Sequence, residues 1–314
     1  MTGGRDEFAL IETLRARFEA ADGPLRGGDV GIGDDAAVVT LPGAGQVVLA
    51  TDLVVEGVHV DLGTSTPEDV GWKALMVTVS DLGAMGCAPS HVLLSVAAPP
   101  GFPVERLGDG VADAALAAGC AVVGGDLSSG PVVMVSVTAV GPTPAGAPPL
   151  RRSGARPGEH LLVTGALGAS AAGLRLLTGA GSSPVPAPLA DAHRRPVARL
   201  REGWVARLAG VTAAIDVSDG LTADIVHLAT ASGVGLDLVV GEGVVAQGAT
   251  RVEALSGGED YELMLATPDP EGLREAFRAK DLRPPLDLGR CTDRPGVWLL
   301  DGEPLTEAGW RHRF

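Results

Sequence analysis

Seven aspartates in this sequence stand where an apolar run ends beside small residues. Asp34 and Asp35 follow Gly31-Ile32-Gly33, Asp52 follows Thr51, and Asp81 follows Ser80. Asp126 follows Gly124-Gly125, and Asp216 and Asp219 bracket Val217-Ser218. In an α/β chain ligands gather outside strand ends, so such residues can converge on one cleft. Carboxylates that converge with no lysine or arginine between them repel. A hard divalent cation such as Mg2+ compensates an oxygen-only set. Any one of them alone is also ordinary turn or N-cap chemistry; the recurrence is what points to a site.

The sharpest stretch is Asp216-Val217-Ser218-Asp219-Gly220, where a strand hands two carboxylates and a hydroxyl to a helix N-terminus. Free amides there favour phosphate. Gly124-Gly125-Asp126 repeats the idea, with backbone that can approach an anion. No G-x-x-x-x-G-K-[ST] is present, and neither lysine (Lys73, Lys280) lies in a glycine-rich loop, which excludes a P-loop. A bound phosphate would need metal ions and arginine; Arg151 and Arg152 are candidates, or a solvated basic pair. His59 is a ligand contact or a structural histidine. Ser256-Gly257-Gly258-Glu259-Asp260-Tyr261-Glu262 is a glycine turn or a wall that recognises a cation. Trp310 is a packing anchor or a stacking surface for a flat cationic ring. The metalloprotease, nucleophile-elbow and dinucleotide motifs are all missing.

The elements that must carry these residues alternate in type. Helices are expected over 7–20, from Pro67 to about Gly86, 104–118, 169–177, 197–208, from Gly220 to Ala231, and 272–280. Strands are expected at 47–50, 91–98, 121–123, 132–140, 160–164, 213–215, 236–240 and 261–266. The Pro/Gly-rich stretch 142–149 reads as a linker, which divides the chain into domains 1–148 and 149–314. A mixed α/β (α+β) two-domain architecture follows. With 314 residues, 46% hydrophobic and 20% charged, both domains can bury cores. A net charge of -15 argues against nucleic acid as a partner. Three dispersed cysteines, no signal-peptide pattern and no membrane-length apolar run lead to a cytoplasmic, membrane-free expectation.

G-I-G-D-D-A-A-V, T-D-L-V-V-E-G-V-H, W-K-A-L-x-V-x-x-S-D-L-x-A-M-G-x-x-P, G-G-D, R-S-G-A-x-P-G, A-I-D-V-S-D-G-L and S-G-G-E-D-Y-E-L occur in this order. Together they resemble the thiamine-monophosphate kinase family, within the aminoimidazole ribonucleotide synthetase-like superfamily. The resemblance implies ATP-dependent phosphorylation of thiamine phosphate to thiamine diphosphate by direct in-line transfer. It also implies a homodimer whose N-terminal sheets pair into a barrel, above a C-terminal α/β domain. By matching position, Asp34, Thr51, Asp52, Asp81, Asp126, Asp216 and Asp219 would hold Mg2+. Gly125, Asp126, Arg152 and Ser218 would contact ATP, and His59, Glu259 and Trp310 the thiamine phosphate. Within Asp34-Asp35 the ligand is expected to be Asp34, with Asp35 in support. Two departures stand out: Ala50 lacks a hydroxyl, and 104–116 offers adenine no aromatic. The alternatives are a superfamily ATPase that activates an amide or carbamoyl oxygen, and a non-catalytic Mg-nucleotide-binding protein.

Overall fold

The computed structural model describes residues 7–22, 29–41, 45–143, 148–179 and 184–310. Two sheets organise them. The first contains β1 (Ala37–Leu41), β2 (Gly45–Val55), β3 (His91–Ala98), β4 (Ala121–Ser129) and β5 (Met134–Pro142), in the order β1-β2-β5-β3-β4. All neighbours are antiparallel except β3 and β4, which are parallel and joined through α3 (Val104–Ala118). A parallel pair needs such a crossover.

Helix α2 (Pro67–Ala84) connects β2 to β3 and lies at the centre of the molecule. Thr66 caps it: the Thr66 hydroxyl accepts from the Asp69 amide, the Asp69 carboxylate accepts from the Thr66 amide, and Pro67 opens the first turn. Nearly every residue after the first turn is buried, Lys73, Thr78 and Ser80 included, because elements pack on both sides of the helix. One side packs on β2, β5 and α3, the other on α6 (Leu200–Leu208) and β7 (Ala213–Asp216). Backbone meets backbone at these crossings. A Cβ on Gly71 would lie 2.1 Å from the Leu107 carbonyl oxygen, and one on Gly203 would lie 1.8 Å from that of Gly83. Close helix packing is one use this chain makes of its glycines.

The second sheet adds β6 (His160–Val163), β8 (Gly235–Leu238), β9 (Leu263–Thr267), β10 (Leu286–Thr292), β11 (Trp298–Leu300) and β12 (Glu303–Pro304). Its order is β12-β11-β8-β10-β6-β9-β7, and β7 is the terminal strand, on the side of α2. The remaining helices are α1 (Glu7–Asp22), α4 (Ala169–Thr178), α5 (Ala187–Arg194), α7 (Leu221–Ser232), α8 (Arg251–Ser256) and α9 (Pro270–Arg278). Helix α1 forms where the apolar spacing placed it, yet Ile11, Leu14 and Phe18 remain exposed.

Three expectations are corrected. The strand expected at 47–50 runs on to Val55 and carries Thr51 and Asp52 in its interior. The one expected at 121–123 continues to Ser129, so Gly124-Gly125-Asp126 lies within a paired strand and not at its end. The expected helices also leave out α5, which starts with Pro188 in its first turn, and α8, which starts on a Thr250–Glu253 capping box. Of the linker stretch 142–149, residues 144–147 lie outside the described residues. No described helix is long and apolar enough to cross a membrane.

Candidate active site

Register across the first sheet decides which side chains can meet. Leu53 pairs with Ser136, Ser136 with Ser95, and Ser95 with Asp126. Paired residues share a face, so Asp126 lies on the face of Leu53 and, by alternation, of Thr51. That face is open: Thr51, Leu53, Leu93, Ser95 and Asp126 are exposed. Asp52 takes the opposite face with Ala50 and Val54, toward α2. Asp52 and Asp126 are therefore on different faces and three strands apart, on the order of 14 Å at normal strand spacing.

On the α2 side the carboxylates do converge. Ligand oxygens of Asp35, Asp81 and Asp216 lie within 4.8 Å of one another. Helix α2 supplies Asp81 and Ser80, β7 delivers Asp216 at its last position, and the turn before β1 supplies Asp35. The Ser80 hydroxyl donates to Asp216 Oδ2 at 2.5 Å. Arg152 donates through Nε (3.0 Å) and Nη2 (2.7 Å) to Asp35 Oδ1. Asp35 Oδ2 and Asp52 Oδ2 are buried with no hydrogen-bond partner. Orphaned buried carboxylate oxygens beside further carboxylates are what a cation-holding donor set leaves when its cation is out.

The electrostatics agree. Burial, with the neighbouring carboxylates, pushes Asp35 up to about 7 against the pull of Arg152. Asp52 rises to about 6 through burial. Asp216 also rises to about 6 through burial, restrained by the Ser80 hydrogen bond and Arg152. Asp81 is driven well above the carboxylate range by burial and then by Asp52, Asp216 and Asp35. One guanidinium does not balance this much negative charge.

Asp34 is not in the triad. Its Oδ1 accepts from the Asp35 amide (3.1 Å) and the Arg152 amide (3.0 Å), so it shapes the turn while Asp35 points into the cluster. The structure thus brings Asp35, and not Asp34, beside Asp81 and Asp216. Thr51 turns its hydroxyl to the Val137 carbonyl and the Thr138 hydroxyl across the strand, each at 3.1 Å on the open face. Gly125 has a packing reason: a Cβ there would fall 1.7 Å from the Leu94 carbonyl oxygen. Nor are the amides of the 216–220 loop free for phosphate. Those of Ser218, Asp219 and Gly220 all donate to Asp224 Oδ2, at 3.0, 3.1 and 3.1 Å.

A cleft of about 500 Å3 opens beside the carboxylates. Asp52, Asp81, Asp216, Ser218 and Asp219 line it together with His59, Glu259 and Trp310. Trp310 sits at the rim, 53% exposed, with its amide on the Asp219 carbonyl. His59 Nδ1 accepts from the Val55 amide at 3.1 Å. Glu259 is held by Lys73 (2.6 Å) and faces His193 (3.3 Å). Burial alone would raise its carboxyl, but the Lys73 ammonium and His193 outweigh burial and hold it down to about 2. Its neighbours do other work: Asp260 accepts from the Gly168 and Ser170 amides at the start of α4, and Glu262 binds Arg199. The expected acidic wall thus reduces to Glu259.

Sequence reasoning missed Lys73, Ser80 and Asp224, and gave Asp35 only a supporting part. Lys73 had a visible signal, a lysine inside the apolar run Trp72–Val79. Asp224 had none, since an acid three residues into a helix is ordinary.

A two-sheet α/β fold with a carboxylate-lined cleft between its halves defines a class. The N-terminal domain of AIR synthase related proteins matches residues 33–143, and the C-terminal domain matches 156–299. E. coli HypE shares this fold, with a TM-score of 0.66 at 21% identity over 97% of this chain and 96% of that one. Within the class, the thiamine-monophosphate kinase of Mycobacterium tuberculosis is 39% identical over 97% of this chain and 91% of its own. AaThiL, solved in complex with AMPPCP and TMP, superposes with a TM-score of 0.84 at 33% identity, covering 98% of this chain and 97% of that one. The chain belongs to the thiamine-monophosphate kinase family of enzymes.

Proposed function

We propose that this chain transfers the terminal phosphoryl group of ATP to thiamine phosphate, forming thiamine diphosphate. The observation that carries the reading is a single cleft lined both by the carboxylates Asp52, Asp81 and Asp216 and by His59, Glu259 and Trp310. The relative solved with AMPPCP and TMP supports the same pair of substrates.

Asp35, Asp52, Asp81 and Asp216 are the side chains that would hold Mg2+, with Asp219 at the cleft wall; the orphaned oxygens of Asp35 and Asp52 favour this donor set. Bound there, Mg2+ would neutralise the carboxylates and screen two polyanions from each other. Arg152 holds Asp35 in place and brings a guanidinium to the phosphate end. Ser218 offers its hydroxyl to the nucleotide. His59, Glu259 and Trp310 position thiamine phosphate, with the indole against its flat cationic ring system. The accepting phosphate oxygen is already largely ionised near neutral pH, so no side chain need act as general base, and direct in-line transfer follows. The chain contributes position and charge.

A homodimer fits the open face of the first sheet. All nine residues of the edge strand β4 are exposed, and Leu53 and Leu93 lie bare on the same side as Asp126 and Thr51. Exposed strand edges and apolar faces are normally covered. A second copy pairing sheet to sheet as a barrel covers them and carries Gly125 and Asp126 to its partner's nucleotide. On this reading residues 1–148 form the metal-, nucleotide- and dimer-forming domain and 149–314 complete the site, in a cytoplasmic enzyme.

The deciding experiment supplies purified chain with ATP, Mg2+ and thiamine phosphate and resolves the products. Thiamine diphosphate and ADP in equal amounts are expected, with no ADP when thiamine phosphate is omitted. ATP consumption without thiamine diphosphate, or turnover only with an amide or carbamoyl acceptor, would sink the proposal.

A further inference from the structure

We propose that Lys73 is the positioning residue for the substrate end of the cleft, an inference that rests on the thiamine phosphate reading. Its side chain is 1% exposed, in the middle of α2. The ammonium donates to Glu259 Oε1 at 2.6 Å and to the His59 carbonyl at 3.0 Å. His59 lies in the turn after β2 and Glu259 in the loop before β9, so these two substrate contacts come from opposite halves of the chain. One buried cation fixes their separation.

Glu259 needs that support. Its backbone sits at φ 66, in the left-handed region that a residue with a side chain adopts only when its surroundings impose it. Its amide donates to the Ser218 carbonyl at 2.7 Å, which ties the loop to the aspartate turn. Its second oxygen faces His193 Nδ1 at 3.3 Å, and that ring also meets the Ser170 hydroxyl at 3.2 Å. Both carboxylate oxygens are thus engaged before any substrate enters. A rotamer-rich glutamate that is already held loses little freedom on binding. A buried ammonium is tolerated only with a charge partner and hydrogen bonds, and Lys73 has both. Its effect on turnover passes through Glu259 and His59, and it has no direct part in the phosphoryl transfer.

Steady-state kinetics on the full chain test this with Lys73→Met, Glu259→Gln and the double variant. Lys73→Met is expected to raise KM for thiamine phosphate about tenfold or more, and to leave KM for ATP and kcat within about threefold. The double variant removes both buried partners together, leaves neither charge stranded and is expected to unfold near the wild-type temperature. Adding Lys73→Met to Glu259→Gln should raise KM for thiamine phosphate by less than about threefold, because the tie to Glu259 is already lost and only the hydrogen bond to the His59 carbonyl remains. Should Lys73→Met be recovered unfolded, the double variant decides alone. A KM within about threefold of that of Glu259→Gln supports the role, and a larger rise overturns it. Equal rises in both KM values, or no rise, also overturn it. A wild-type chain that makes no thiamine diphosphate removes the reading beneath the inference, and both fall; the other failures remove the inference alone.

Discussion

Ser80 donates its hydroxyl to Asp216 Oδ2 across 2.5 Å, and with that bond the central helix of the first half holds the terminal strand of the second. Both residues are buried. Ser80→Ala leaves a buried carboxylate oxygen without its donor, which costs about 1–3 kcal/mol. Urea denaturation in chelator should show this loss, and a divalent cation should restore part of it. Unchanged stability in chelator would mean that the bond does not couple the two halves.

Asp34 and Asp35 are neighbours with different tasks, so their amide variants should separate. Asp35→Asn takes charge from the triad and from Arg152, and a fall in kcat of about a hundredfold or more is expected. Asp34→Asn keeps an oxygen for the two amides it serves and should cost less than about tenfold. Metal titration of each variant by calorimetry gives the same order if the assignment is right. The reverse order would return the ligand role to Asp34.

The two acids show where sequence reading stops. The G-I-G-D-D motif announced a site, yet the choice between adjacent carboxylates depends on which one Arg152 reaches from more than a hundred residues away. Elements with strong local signals were legible: α2 from its proline and apolar run, α3 and β3 from periodicity. Gly124-Gly125 was misread because glycine pairs mark loops as often as close strand approach. The fate of the 218–220 amides was invisible as well, since only the folded loop brings Asp224 beneath them. The pairing of Glu259 with Lys73 joins distant segments and has no local trace.

The pH dependence of the metal-free chain should run opposite to that of ordinary carboxylate-stabilised proteins. Asp35, Asp52 and Asp216 are raised to about 7, 6 and 6 in the fold, above their unfolded value of 3.8. The folded state then binds more protons than the unfolded one, so stability falls as pH rises from about 4 through 7. Glu259 has the opposite sign, being lowered from 4.5 to about 2, and its contribution is fully present above about 5 and lost only below it. In chelator, melting temperature should therefore rise as pH is lowered from 8 to about 5.5. With excess Mg2+ the slope should flatten or reverse, because a cation replaces the protons. A slope indifferent to Mg2+ would count against a cation at these residues.

Leu93 tests the open sheet face without touching the cleft. It is 47% exposed on β3, on the face shared with Ser95 and Asp126. A second copy of the chain would bury it, and a charge there would be left unpaired in an apolar interface. On the proposed dimer, Leu93→Arg should sediment as a monomer at concentrations where the wild type sediments as two copies. Because the side chain is solvated in the isolated chain, the variant's unfolding should stay within about 0.5 kcal/mol of a wild-type monomer, as for other surface substitutions. On the proposed dimer, activity should fall with dimer content and recover in part at high protein concentration, since Asp126 would reach a nucleotide only across the interface. A monomeric variant with full turnover would show that Asp126 and Thr51 lie outside the reaction, and would leave Asp35, Asp52, Asp81 and Asp216 of one chain as a sufficient set.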